Sequence, residues 1–255
     1  METPAWKEFI IETAEISRFS GRFFKECFRP RYEISEFLRQ CYFVGYKSLA
    51  LVAITAFIIG LVITIQSRPT LVEFGAEAWL PKMVSLSLIR EISPMVTALI
   101  CAGKVGSGMG AELGSMRVTE QIDAMEVSGT NPFKYLVVTR VFATTLMIPV
   151  LAVLADAIAL YGAYLGANIR ATWSWNLYWN VVFDTLVYGD LVPSILKTFF
   201  FGFSIGIIGC YKGFFTSHGT EGVGHAANSS VVISSLIIFL LDLIAVQIID
   251  LMGLT

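Results

Sequence analysis

The sequence predicts an all-α integral membrane protein, and three observations carry that prediction. Of the 255 residues, 55% are hydrophobic and 15% charged, with a mean hydropathy of +0.70; a soluble domain carries roughly a quarter charged residues. Five apolar stretches, 42–65, 80–102, 135–163, 191–211 and 231–252, are each long enough to cross the hydrocarbon as a helix, which takes about 20 residues. Lysine and arginine fall unevenly between the segments that join them, as the positive-inside rule requires. The net charge of −2 gives no support for nucleic-acid binding.

The elements follow in order. Over residues 5–28, Trp6, Phe9, Ile10, Ile16, Phe19, Phe23 and Cys27 recur at three- and four-residue spacing, with Lys7, Arg18, Arg22 and Lys25 elsewhere on the wheel. Next to a membrane span, such a helix is expected to lie in the interface. The acidic residues near the N-terminus, Glu2, Glu8 and Glu12, and the lack of an apolar core before position 42, do not fit a cleavable signal. The third span carries Arg140 near its start and Pro149 inside, where a kink is expected. With the N-terminus in the cytoplasm, the inner segments hold Lys7, Arg18, Arg22, Lys25, Arg29, Arg31, Arg39, Lys47, Lys104, Arg117, Lys134, Arg140 and Lys212. The outer ones hold Arg68, Lys82 and Arg170. Five spans then place the C-terminus outside. Trp79, Trp173, Trp175 and Trp179 fall at the outer level, where indoles favour the headgroup layer; residues 172–188 are expected to form a short aromatic helix there. With no repeat, residues 1–40 read as an interfacial region and 41–255 as one transmembrane domain.

Between spans two and three lies "AGKVGSGMGAELGSMRVTE", residues 102–120. Its glycines and lysine suggest a phosphate loop, but the P-loop pattern G-x-x-x-x-G-K-[ST] fails. Val105 follows Gly103-Lys104, and Ala98 stands where the first glycine belongs. A dinucleotide fingerprint lacks its βαβ unit, and Ser107 has no base nearby for hydrolysis. The spacing supplies another cause. Ala98, Ala102, Gly106, Gly110 and Gly114 fall every fourth residue, a flat ridge on which another backbone can lie closely. Gly202 and Gly206 repeat the device in span four, and the glycines at 106–110 are expected to ease a bend. From Ala111 to Val127 a polar cytoplasmic helix follows, with Glu112, Arg117, Glu120, Asp123 and Glu126, ended by Asn131-Pro132. It reads either as a solvated connector or as a dock for a cytoplasmic partner.

Charges within the spans call for partners, since each costs about 3 kcal/mol when unpaired at mid-bilayer. Arg90 and Glu91 are adjacent in span two and point about 100° apart, so they cannot satisfy one another alone. Lys197 and Asp242 are candidates for a pair, and Asp156 and Asp250 are further charges in or near spans. The stretch 212–230, with His218, Glu221 and His225, reads as a polar cytoplasmic loop in which Ser217 or Asn228 could cap a helix. Cys27, Cys41, Cys101 and Cys210 show no metal or disulfide spacing, and no metal site is expected.

Residues 87–143, "SLIREISPMVTALICAGKVGSGMGAELGSMRVTEQIDAMEVSGTNPFKYLVVTRVFA", resemble the signature region of the MlaE/YrbE permease family, membrane subunits of ABC transporters that work with MCE-domain proteins. The motifs Leu-x-Arg-Glu-x-x-Pro, Ala-Gly-x-x-Gly-Ser and Ala-Glu-x-Gly-Ser-Met-x-x-Thr-Glu-x-x-Asp-Ala are met, with Asn131 where an aspartate is common. The resemblance implies a homodimeric permease of the bacterial inner membrane that moves phospholipids and bears on outer-membrane lipid asymmetry. It implies cytoplasmic ATPase subunits on the 111–127 coupling helix, an MCE-domain protein on the outer face and, in related systems, a small STAS-domain protein and a soluble periplasmic lipid carrier. ATP and Mg would be bound by the ATPase; this chain would hold no cofactor and no catalytic residue. Gln66, Arg90 and Glu91 are then candidates for the lipid cavity. The competing reading is a secondary transporter or channel with Arg90, Glu91 and Asp242 as an ion relay.

Overall fold

The computed structural model describes residues 5–28, 33–169, 172–216 and 219–251. Every regular element among the described residues is helical: α1 (Ala5–Cys27), α2 (Ile34–Glu73), α3 (Glu77–Val118), α4 (Gln121–Val127), α5 (Phe133–Asn168), α6 (Trp175–Thr185), α7 (Tyr188–Phe214) and α8 (Thr220–Leu251). Five of them, α2, α3, α5, α7 and α8, are long and apolar enough to cross a membrane. This is an all-α, multi-pass membrane protein. Arg29, Arg31, Arg170, Ser217 and His218 lie outside the described residues.

The spanning helices outrun the apolar stretches that predict them. At 42 residues and about 1.5 Å per residue, α3 is roughly twice as long as the hydrocarbon is thick. Helical hydrogen bonds are internal, so the helix continues where the side chains turn polar. Two local expectations are corrected for this reason. The stretch 212–230 is not a loop: α7 runs to Phe214 and α8 begins at Thr220. Asn228 therefore sits inside α8 rather than capping it, and Glu221 and His225 ride on its first turns. No metal-binding group of His, Cys, Asp and Glu occurs among the described residues.

The second correction concerns 111–127, which the sequence predicts as one helix. The glycines at 106–110 do not break the chain; α3 passes through a π turn at Ala102–Gly106 and continues to Val118. The break falls at Thr119–Glu120, so the 111–127 segment is the end of α3 plus the separate α4. Glu120 adopts φ 58°, ψ 15°, a left-handed conformation that costs a side-chain-bearing residue about 1 kcal/mol. Arg117 bridges the break to Asp123 at 2.5 Å. Glu120→Gly is accordingly expected to stabilise the chain by about 0.5–1 kcal/mol, read as a higher melting temperature in detergent. An unchanged or lower value would mean the glutamate side chain holds the turn.

The chain divides into two compact units. The first takes Met1–Val44, Cys101–Thr145 and Gly202–Ile237. Its interior is built on small residues. A Cβ at Gly110 would meet the Ala226 carbonyl at 3.0 Å, and one at Gly213 the Gly110 carbonyl at 2.9 Å; Gly202 similarly abuts Thr144 and Gly206 abuts Val141. These contacts explain why the glycine ridge stays helical: neighbouring backbones support it. On the same unit α1 buries Phe19 and Phe23. Phe19 meets Phe133 edge-on at 5.0 Å, and Tyr211 Oη donates to Glu15 at 2.6 Å.

The second unit takes Gly45–Ile100, Leu146–Phe201 and Ile238–Thr255. Here α2 and α5 cross with backbones touching. A Cβ at Gly60 would overlap the Ala159 carbonyl, one at Gly162 the Phe57 carbonyl, and one at Gly166 would lie 3.0 Å from the Leu61 carbonyl. α6 is capped by Ser174, whose Oγ accepts from the Leu177 amide at 3.3 Å. It seats Tyr178 and Trp175 around Tyr164. Tyr178 is fully buried, and burial pushes its phenol well above the ordinary range.

Candidate functional site

Within the second unit, the charges of the spans converge. Arg90 and Glu91 ride on a π turn of α3, Leu88–Ile92. Such turns carry an extra residue, re-aim side chains and recur at functional sites. Ser194 Oγ from α7 donates to the Ile89 carbonyl at 2.6 Å, which pins α7 to the turn. The two charges then diverge as their spacing demands. Arg90 Nε donates to Asp190 Oδ1 at 2.5 Å, and its terminal nitrogen pairs with the same carboxylate. Asp190 lies in the first turn of α7, where its other oxygen accepts from the Val187 amide at 3.3 Å.

Glu91 turns the other way. Its Oε2 accepts from Lys197 Nζ at 2.7 Å, and Lys197 also donates to Asp242 at 2.8 Å. One ammonium thus joins α3, α7 and α8. Lys197 is 3% exposed, Asp242 14% and Glu91 39%, so the cation is interior and Glu91 faces outward. Asp156 on α5 is within electrostatic reach of the same lysine. A cavity of about 310 Å³ opens over these groups, lined by Arg90, Glu91, Asp190, Ser194, Gln247 and Asp250 among others. Gln66, on α2, is exposed and does not line it. The sequence reading paired Lys197 with Asp242 but missed Asp190, which sits one residue before the apolar stretch of span four. The signal that could have found it was a lone carboxylate in a helix's first turn, ahead of Pro193.

The first unit holds the second group of predicted residues. Glu112 pairs with Arg140 at 3.0 Å; that arginine is 2% exposed and also donates to the Leu136 carbonyl. Arg117 and Asp123 are paired across the turn, whereas Glu120, Asp123 and Glu126 are exposed. A cavity of about 510 Å³ beside them is lined by Arg22, Arg117, Asp123, Glu126 and Asn131. Asn131 ties this region to α1. Its amide donates to Glu26 at 3.3 Å while its oxygen accepts from the Lys134 amide at 3.3 Å. An aspartate here would set two carboxylates face to face. The small-residue positions Gly106, Gly110, Gly114, Gly202 and Gly206 all lie in this unit, where a Cβ at each would come within 4 Å of a neighbouring helix or of Thr216.

Comparison with known proteins gives consistent matches along most of the chain. The family model described as Permease MlaE matches residues 37–248. A probable ABC transporter permease protein of Rickettsia felis is 37% identical over 233 residues, covering 91% of this chain and 90% of that protein. A probable ABC transporter permease protein of a Synechocystis species is 37% identical over 221 residues, 87% and 84% of the two chains. The intermembrane phospholipid transport system permease protein MlaE of Haemophilus influenzae is 32% identical over 209 residues, 81% of this chain and 80% of that one.

Proposed function

We propose, on the premise that this chain belongs to the MlaE permease family, that it is the membrane subunit of an ABC transporter that moves phospholipids across or out of the inner membrane. It works as a homodimer whose ATP and Mg are bound by separate cytoplasmic ATPase subunits, with an MCE-domain protein on the outer face. The ATPase docks on the end of α3 and on α4, where Glu120, Asp123 and Glu126 are exposed beside a polar cavity. The N-terminus is cytoplasmic and the C-terminus periplasmic, as the basic residues predict.

One observation carries the lipid reading: a cavity among apolar spanning helices that is lined by an arginine 34% exposed although already paired. A guanidinium has five donors in a planar fork. Asp190 occupies one edge, which leaves donors for a phosphodiester, the group Arg holds best. Glu91 and Lys197 then serve as the strut that ties α3, α7 and α8 together.

The test keeps folding and function apart. Arg90→Ala combined with Asp190→Asn removes both charges of the pair, so no buried carboxylate is stranded. The double variant is expected to assemble with its ATPase and to lose about tenfold or more of lipid transfer between vesicles and acceptor, the worth of one charge-assisted contact. Full transfer by the assembled double variant would rule out the Arg90 role. Conduction of ions by the chain alone in vesicles, without an ATPase, would favour the channel reading instead.

A further inference from the structure

The cavity over Arg90 carries a charge balance that an anionic headgroup would not meet. Its ionisable lining is Arg90, Glu91, Asp190 and Asp250, one cation against three carboxylates. The neighbouring Lys197 and Asp242 cancel one another and leave the excess unchanged. Arg90 is offset by Asp190 through two nitrogens, and Lys197 is turned away into the protein at 3% exposure. The groups that remain open to the cavity are the free edge of Arg90, the outward part of Glu91 and Asp250. Asp250 is exposed on the last turns of α8 and stands in no ion pair among the described residues.

We infer that this cavity selects phospholipids whose headgroup carries a cation beyond the phosphate, the ethanolamine and choline class, over those with a neutral or anionic headgroup such as glycerol. The inference rests on the lipid-transport reading above and specifies its substrate. The physical reason is the arrangement of opposite signs on one wall. A phosphodiester set against the open edge of Arg90 brings its ammonium, a few bonds further on, toward carboxylates. An anionic lipid brings only its phosphate into a site that already has excess negative charge. Like-charge juxtaposition is the repulsive half of such discrimination. Gln247, also on the lining, donates or accepts without adding charge.

Asp250 is the position to change, because it is exposed and pairs with no described residue, so its loss leaves the folded chain intact. The transporter complex, purified from membranes holding equal phosphatidylethanolamine and phosphatidylglycerol, is analysed by mass spectrometry for bound lipid. In the wild type, phosphatidylethanolamine is expected to be enriched about threefold over its share of the membrane, the scale of one partly exposed charge interaction. Asp250→Asn reduces the enrichment, and Asp250→Lys inverts it. Bound lipid at the bulk ratio in the wild type, or an enrichment that Asp250→Lys leaves intact, overturns the selectivity while leaving lipid transport standing. A complex with no bound phospholipid and no transfer activity overturns both.

Discussion

Replacing Lys197 by alanine is expected to destabilise the folded chain by about 3–5 kcal/mol, the cost of removing one partner from a buried ion cluster. The lysine is 3% exposed and donates to Glu91 at 2.7 Å and to Asp242 at 2.8 Å. Without it, the largely buried Asp242 carboxylate is left beside Glu91, from a different helix, with no cation between them. Each then loses its attraction and gains a repulsion, a penalty far above that of a surface pair. The loss should be read as a fall in melting temperature and in monodisperse yield in detergent. The decisive comparison is the triple variant Glu91→Gln, Lys197→Ala, Asp242→Asn, which strands no charge and should recover most of the loss. Equal instability of the triple variant would show that Lys197 acts through its packed methylenes instead. A single variant as stable as wild type would show that the cluster holds nothing together.

The second large effect lies where α2 crosses α5. Gly60→Ala places a methyl group on the Ala159 carbonyl, and the obstacle is backbone, which cannot rotate away. The helices must separate, and with them the neighbouring contacts at Gly162 and Gly166. An overpacking cost of about 3 kcal/mol is expected, read by thermal unfolding. Gly103→Ala is the matched control: nothing lies within 4 Å of the added carbon, and alanine is the better helix former, so a gain of up to about 1 kcal/mol is expected. If the two substitutions behaved alike, helix propensity rather than backbone approach would be setting the result.

Both positions bear on what a sequence can disclose. Glycines four apart in 102–120 read as a close-packing ridge, and the reading rested on periodicity alone. The crossing at Gly60, Gly162 and Gly166 carried the same signal, with Gly162 and Gly166 four apart and Ala56 and Thr64 flanking Gly60 at that spacing. It went unread because α2 and α5 are apolar all round, and a face does not stand out against a uniformly apolar background. The helix boundaries erred in one direction. Hydropathy reports which residues hydrocarbon tolerates, whereas helix length is set by backbone hydrogen bonds that continue into polar sequence. This is why 212–230 looked like a loop, whereas the 111–127 segment, read as one helix, is interrupted at Thr119–Glu120.

The class of the molecule was legible in the linear chain: composition decides which solvent the chain can inhabit, and apolar run length decides how many times it can cross. So was the need of Arg90, Glu91, Lys197 and Asp242 for partners, since a charge among apolar side chains is too costly to leave alone. The Lys197–Asp242 pair was named from the sequence and is present; the partners of Arg90 and Glu91 emerged from the packed helices alone. Asp190 is 100 residues from Arg90 along the chain, and the geometry joining them depends on a π turn in α3 and on the start of α7. Neither leaves a periodic trace. Pairing between distant charges is a property of helix packing, and packing is set by the shapes of surfaces that a linear pattern does not contain.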